Sequence, residues 1–159
     1  MGTVEAGTII HAPVKVVWDC LNDIDHTPEW VVGLVAAEIV TSGTYGEGSV
    51  YHDHNRLGPF LQTTPWTVTA FESLAHQVHE SDSAALPSKM TLNVSPDPEG
   101  TYLEMIVEYR LLPRLGVVSR LLEQVLMNRM LKQVLKQNQA NLNAYLTQQI
   151  SLSLQPASQ

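Results

Sequence analysis

The sequence predicts an α+β domain in which a curved antiparallel sheet holds one long C-terminal helix, and two observations carry that expectation. Residues 102–111 alternate strictly, with Leu103, Met105, Val107, Tyr109 and Leu111 on one face and Tyr102, Glu104, Glu108 and Arg110 on the other. Val117 to Gln149 instead carries Val118, Leu121, Leu122, Val125, Leu126, Met130, Leu131, Val134, Leu135, Leu142, Tyr145 and Leu146 at helical spacing. At 1.5 Å per residue that helix runs about 50 Å, roughly the diagonal of a small sheet. One-sided strands and a striped helix each need cover, and each can cover the other. Such an arrangement tends to leave a space between its layers, which makes small-molecule binding the leading functional expectation.

The elements follow in order. Val4 to His11 is an opening strand, ended by Ala12-Pro13. A short amphipathic helix comes next, its stripe formed by Val16, Val17, Cys20, Leu21 and Ile24, and Asp25-His26-Thr27-Pro28-Glu29-Trp30 closes the unit as a turn. Strands are expected at Val35 to Thr41, Ser49 to Leu57, Thr64 to Phe71 and His76 to Asp82. They are punctuated by Gly43, Gly46 and Gly48, by Gly58-Pro59, and by Ala85 to Ser88. Met90, Leu92 and Val94 point inward from the next strand, with Lys89, Thr91 and Asn93 toward water. Pro96-Asp97-Pro98-Glu99-Gly100 turns that strand into the last one, its antiparallel neighbour. Pro113 and Gly116 separate the final strand from the helix. The 159 residues suit a single domain spanning 1–150, with Ser151 to Gln159 as a polar tail.

The net charge of −7 is unevenly placed. Met1 to Tyr109 holds fifteen acidic and three basic residues, whereas Arg110 to Gln159 holds six basic and one acidic. The closing helix is the basic element of an acidic protein, and long-range attraction helps hold it, each exposed pair contributing little. A nucleic-acid partner is not expected, because tracking phosphates needs a broad basic stripe. Cys20 is the only cysteine, which rules out an intrachain disulfide and reads as a small core hydrophobe. Met1-Gly2-Thr3-Val4-Glu5 shows neither the basic head nor the apolar run of a signal peptide, so a cytoplasmic location is expected. Leu115 to Leu135 is apolar but carries Arg120, Glu123, Arg129 and Lys132, which argues against a transmembrane segment.

Several stretches carry a family resemblance: Ala12-Pro13 followed by Val16-Val17-Trp18, Asn22-Asp23-Ile24 leading to Pro28-Glu29-Trp30, Gly46-Glu47-Gly48, and Val68-Thr69-Ala70-Phe71-Glu72. With the order strand, two short helices, six strands, long helix, the chain resembles the SRPBCC superfamily, also called START-like or helix-grip proteins. It is most similar to the polyketide cyclase/dehydrase branch. The resemblance covers nearly the whole chain. It implies a seven-stranded antiparallel sheet wrapped around the last helix, with a mainly apolar cavity for a lipid, polyketide or similar ligand. It does not imply catalysis, because the superfamily holds enzymes, carriers and receptors alike.

His52-Asp53-His54 is the cluster that invites a mechanism. In a strand, His52 and His54 share a face and Asp53 takes the other, so the three cannot form a triad. A metal would need a further ligand, which His76 or His79 could supply only from a neighbouring strand; no metal or cofactor is expected. Solvated histidines on the convex face remain the plain alternative. Register decides. If His52 pairs with Trp66, then Val50, His52 and His54 share the cavity face with Thr64, Trp66 and Val68; a slip of one residue brings in Tyr51, Asp53 and Asn55. Pro59 cannot take the positive φ of a type I′ turn, which favours the first register.

The expected catalytic candidates are His52, His54 and Tyr109, and Tyr51 is a further acid/base possibility. The expected ligand-binding wall is Trp30, Trp66, Val68, Met90, Leu92, Met105, Val107, Met127, Met130 and Leu131. Plain core packing is the competing reading of those wall residues. No serine sits in a nucleophile elbow, and Asp23, Asp25 and Glu29 read as capping and surface groups. Binding of a small hydrophobic molecule is the leading reading, and a cyclase, aromatase or dehydratase using cavity His and Tyr groups is the alternative. A protein-interaction domain would instead show an exposed apolar patch on the basic helix. Leu122 and Leu131 are expected in the core.

Overall fold

A computed structural model describes residues 1–84, 86–111 and 117–154, with no side-chain account of residues 57 and 117–120. The chain forms β1 (Gly2–Ile10), α1 (Val14–Asn22), a 3-10 helix (Ile24–Glu29), β2 (Leu34–Ile39), β3 (Val50–Leu57), β4 (Phe60–Glu72), β5 (His76–Ser81), β6 (Ser88–Asp97), β7 (Gly100–Tyr109) and α2 (Val117–Leu154). The seven strands make one antiparallel sheet in the order β1-β7-β6-β5-β4-β3-β2. Every neighbouring pair except β1 with β7 is consecutive in sequence, so the sheet is a meander whose first strand closes on its last.

Alternation placed β6 and β7 correctly. Leu103, Met105, Tyr109, Leu92 and Val94 are buried, with Met90 and Val107 packed half-buried against them, in one core with Leu135, Leu142 and Leu146 of α2. On the opposite face Glu104 accepts a hydrogen bond from Asn93 Nδ2 at 2.8 Å, and Glu108 lies 3.4 Å from Lys89 Nζ. The β6–β7 turn is tighter than the sequence suggested, because Asp97 already pairs with Gly100. Gly100 adopts φ of 144°, and a Cβ there would collide with the Ile10 carbonyl oxygen. Glycine is therefore required on both counts.

The second half of α2 docks by apolar contact and by amide clamps that periodicity does not reveal. Gln139 Nε2 donates to the Ala6 and Leu103 carbonyls at 2.8 and 3.2 Å. Asn138 Oδ1 accepts from the Val32 N–H at 2.9 Å, Asn141 Nδ2 donates to the Trp30 carbonyl at 3.1 Å, and Asn143 Oδ1 accepts from the His11 N–H at 2.9 Å. These bonds tie the helix to β1, β7 and the exit of the 3-10 helix. The first half behaves differently. Leu121, Leu122, Val125, Leu126 and Met130 are exposed, Leu122 by 63 %, so its expected core position is corrected. Glu123, Gln124, Asn128 and Arg129 interrupt the stripe here, and the polar Gln124 and Asn128 are the ones that bond to the Met1 carbonyl and the Tyr109 hydroxyl, so apolar spacing does not mark which face docks. The exposed apolar patch asked of an interaction domain is thus present here.

The polar tail begins later than expected, since α2 continues to Leu154. Ser151 and Ser153 hydroxyls donate to the Thr147 and Ile150 carbonyls, so these polar side chains bond to the helix itself. Pro113, Gly116 and residues 155–159 lie outside the described residues. Among those described, no helix is long and apolar enough to cross a membrane.

Candidate functional site

Core residues fall into two clusters, one around α1, β7 and α2 and a smaller one of Ile24, Leu34, Ala37, Tyr51 and Val68. At their border lies a cavity of about 170 Å³. Leu21, Ile24, Thr27, Trp30 and Val31 wall it from the α1 and 3-10 region, and Leu135 and Asn138 from α2. The sheet contributes Tyr51, Asp53, Trp66, His79, Met90, Leu92 and Met105. Larger depressions, such as the one of about 310 Å³ beside Ser81, Lys89 and Glu108, are solvent-open grooves.

The β3–β4 register decides which side chains enter. Tyr51 pairs with Trp66 and Asp53 with Thr64, so Tyr51 and Asp53 face inward with Trp66, and His52 pairs with Pro65. The expected pairing of His52 with Trp66 is therefore corrected by one residue. The hairpin closes through Leu57 and Phe60, with Gly58 at φ of 61°. A turn of type II′ needs positive φ only at its first central residue, which Gly58 supplies, while Pro59 suits the second. His54 lies on the outer face, hydrogen-bonded to Thr63 at 2.9 Å and 3.4 Å from Glu38. β4 also separates β3 from β5, so neither His76 nor His79 is on a strand adjacent to His52 and His54.

Of the expected wall, Trp30, Trp66, Met90, Leu92 and Met105 line the cavity. Val68 is buried in the smaller cluster, Val107, Met127 and Leu131 pack on the larger one, and Met130 is exposed. Tyr109 is buried away from the cavity, donating to Asn128 Oδ1 at 2.7 Å, its ring packed where a side chain on Gly2 would otherwise sit. Asp53 enters as in the alternative register, whereas His79, which the sequence offers only as a metal ligand, and Asn138 are not expected on the wall. A polar residue on the inner face of a strand mimics an outward one, so the β3–β4 hairpin phase is what places Asp53, while Asn138 on α2 shows itself only through its bond to the Val32 N–H.

Four residues that line this cavity each carry a buried polar atom with no hydrogen-bond partner among the described residues: Trp30 Nε1, Asp53 Oδ1, Trp66 Nε1 and His79 Nε2. Each is a group that natural interiors almost always satisfy. Burial pushes the Asp53 carboxyl from 3.8 up to about 7, against the Trp66 indole and His54, which favour its ionised form. The indole N–H faces the carboxyl yet falls short of hydrogen-bond geometry. Burial pushes His79 down from 6.5 to about 4, leaving it neutral at pH 7. Its Nδ1 lies 2.7 Å from Tyr51 Oη, whose own ionisation burial holds far above the ordinary range. The Tyr51 hydroxyl hydrogen has no other acceptor among the described residues, so it goes to Nδ1 and leaves the imidazole proton on Nε2. The lining residues thus carry three N–H donors and one carboxyl oxygen without a partner, the Trp66 N–H lying toward Asp53. Cys20 is inert by comparison, burial and Asp23 pushing its thiol up to about 12.

Solved structures share this architecture. A START superfamily protein from Mycobacterium smegmatis superposes with a TM-score of 0.76 at 12% identity, covering 93% of this chain and 99% of that one. Protein MLL2253 from Mesorhizobium loti gives 0.68 at 19% identity, with 92% and 97% covered. The di-domain ARO/CYC StfQ from the steffimycin biosynthetic pathway gives 0.74 at 14% identity, covering 94% of this chain and 51% of that one. At such identities these likenesses speak for the fold. No curated protein sequence matches the chain. The model of one family, polyketide cyclase / dehydrase and lipid transport, matches residues 1–147. With that match spanning nearly the whole sequence, the chain belongs to the polyketide cyclase / dehydrase and lipid transport family.

Proposed function

We propose that the protein binds a small hydrophobic molecule in the cavity bounded by Trp30, Tyr51, Trp66, Met105 and Leu135. The observation that carries this reading is the set of four unpaired polar atoms on residues of a mainly apolar wall. Apolar area supplies affinity in such a pocket, and a few convergent polar groups fix orientation. Each such group costs about 1 to 3 kcal/mol. Four further atoms unpaired among the described residues, on Asn22, Tyr45 and Gln77, belong to residues outside the cavity lining, so the support comes from the gathering of four around one void. Toluene and phenol, followed by tryptophan fluorescence, test the reading. Saturable binding of at least one, weakened when Met105→Trp fills the space, supports it. Absence of saturable binding by either would sink it.

An enzymatic role is the second reading, favoured by the Tyr51–His79 pair at 2.7 Å beside a carboxyl that titrates at about 7. Proton transfer is most efficient when the group's pKa lies near the working pH. Asp53 would take a proton as base and His79 Nε2–H would stabilise an enolate oxygen. Deuterium uptake into cyclohexanone in D2O, lost in Asp53→Asn, is the expected sign. Unchanged uptake in the variant removes Asp53 from that role.

A further inference from the structure

Building on the binding role just described, we infer that the cavity takes one neutral six-membered ring bearing a hydroxyl, a phenol or stable enol, rather than an acyl chain or a fused ring system. Size comes first. A dry protein cavity of about 150 Å³ accommodates benzene, whereas pockets for drug-sized ligands run from about 300 to 1,000 Å³. At about 170 Å³ this cavity holds a single ring with a small substituent. Two of its lining rings, Tyr51 and Trp66, are inclined by only 14° to one another with centroids 6.5 Å apart, a surface suited to a flat ligand.

Charge narrows the class further. No lysine or arginine lines the cavity among the described residues, and Asp53 does. A carboxylate or phosphate would enter without a counter-charge and, once Asp53 is ionised above about pH 7, beside a like charge, which a buried site does not tolerate. Fatty acids and phosphorylated carriers are disfavoured on that ground alone.

The polar inventory then selects the functional group. Trp30 Nε1, Trp66 Nε1 and His79 Nε2 offer hydrogens, and Asp53 Oδ1 offers a lone pair. Above about pH 7, where Asp53 is ionised, a ketone or ether accepts only and would leave it unpaired. An amine cation donates only and would leave the three N–H groups unpaired. A hydroxyl donates one hydrogen and accepts up to two, so it is the smallest group that answers both kinds. Tyr51 contributes as a positioning residue, because its bond to Nδ1 sets which imidazole nitrogen carries the proton.

The test compares three probes of known structure, phenol, its isostere toluene, and hexadecanoate, on the wild-type protein by calorimetric titration, with Asp53→Leu alongside. Phenol is expected to bind about tenfold or more tighter than toluene, because toluene leaves every polar group unpaired. In Asp53→Leu that preference should fall to within about threefold, with toluene affinity kept or improved. Hexadecanoate should neither bind nor displace phenol. Equal affinity for phenol and toluene would overturn the hydroxyl assignment while leaving a hydrophobic binding site in place. Tight hexadecanoate binding would overturn both size and charge selection. Absence of binding by all three would reject the binding role itself. Should Asp53→Leu fail to fold, the wild-type ranking still decides.

Discussion

The interface between sheet and α2 is solid around Leu142 and hollow beside Leu135, and the two regions treat polar groups in opposite ways. At the solid end Gln139 satisfies two carbonyls and the Thr101 hydroxyl donates to the Ala12 carbonyl at 2.7 Å. Leu142, Leu103 and Ile10 are there completely buried. At the hollow end four polar atoms wait unpaired around a void. One region is built for stability, and the other gives up stability where a ligand can restore it. Beyond both, the first half of α2 leaves its apolar side chains in solvent.

The largest expected effect is at the solid end. Leu142→Ala should destabilise by about 2 to 5 kcal/mol, the range for a fully buried leucine replaced in a close-packed core. Denaturant midpoints check it, and a loss below about 1 kcal/mol would mean the two ends are packed alike.

The hollow end should reveal itself through pH. Asp53 titrates at about 7 when folded and near 3.8 when unfolded, so the folded state binds the extra proton and stability falls as pH rises between those values. His79 titrates at about 4 when folded and near 6.5 when unfolded, so the unfolded state binds the extra proton and stability rises with pH from about 4 to 6.5. The two slopes oppose each other across that shared window. Relative to the parent, Asp53→Asn should gain stability progressively from pH 4 to pH 7, by at most about 4 kcal/mol at about 1.4 kcal/mol per unit of displacement. His79→Gln should gain it as pH falls from 6.5 to 4. Unfolding curves at several pH values for the three proteins would show parallel profiles if neither group were buried as described.

The smallest effect belongs to the exposed half of α2. Leu122→Ala should change stability by no more than about 0.5 kcal/mol, since its side chain is already in water. A loss comparable to that at Leu142 would place this half of the helix in the core and erase the contrast.

Much of this fold is written in local pattern. β6 and β7 show period-two alternation with charged residues on one side, and the wide separation of Leu103 from Glu104 in character fixes which face is buried. The site is less legible because it depends on phase. Tyr51-His52-Asp53-His54 alternates in both readings, and only the turn at Gly58-Pro59 distinguishes them. His79 has the same difficulty, sitting on a strand whose other face carries His76, bonded to Asn93 at 2.6 Å on the outside. In α2 the ambiguity runs the other way. From Leu121 to Met130 the apolar residues spread round the helix among Glu123, Gln124, Asn128 and Arg129 and so hide its exposed side, whereas buried Asn138 and Gln139 look like surface residues until their backbone partners are known.

Indole N–H resonances offer the most direct test of a ligand site at the hollow end. The chain has three tryptophans, of which Trp30 and Trp66 line the cavity with unpaired N–H groups while Trp18 packs on Phe71 in the solid core. In a two-dimensional nitrogen–proton NMR titration with phenol, the Trp30 and Trp66 indole signals should move together to saturation, and the Trp18 signal should stay in place. Movement of Trp18 alone, or of none of the three, would contradict the account.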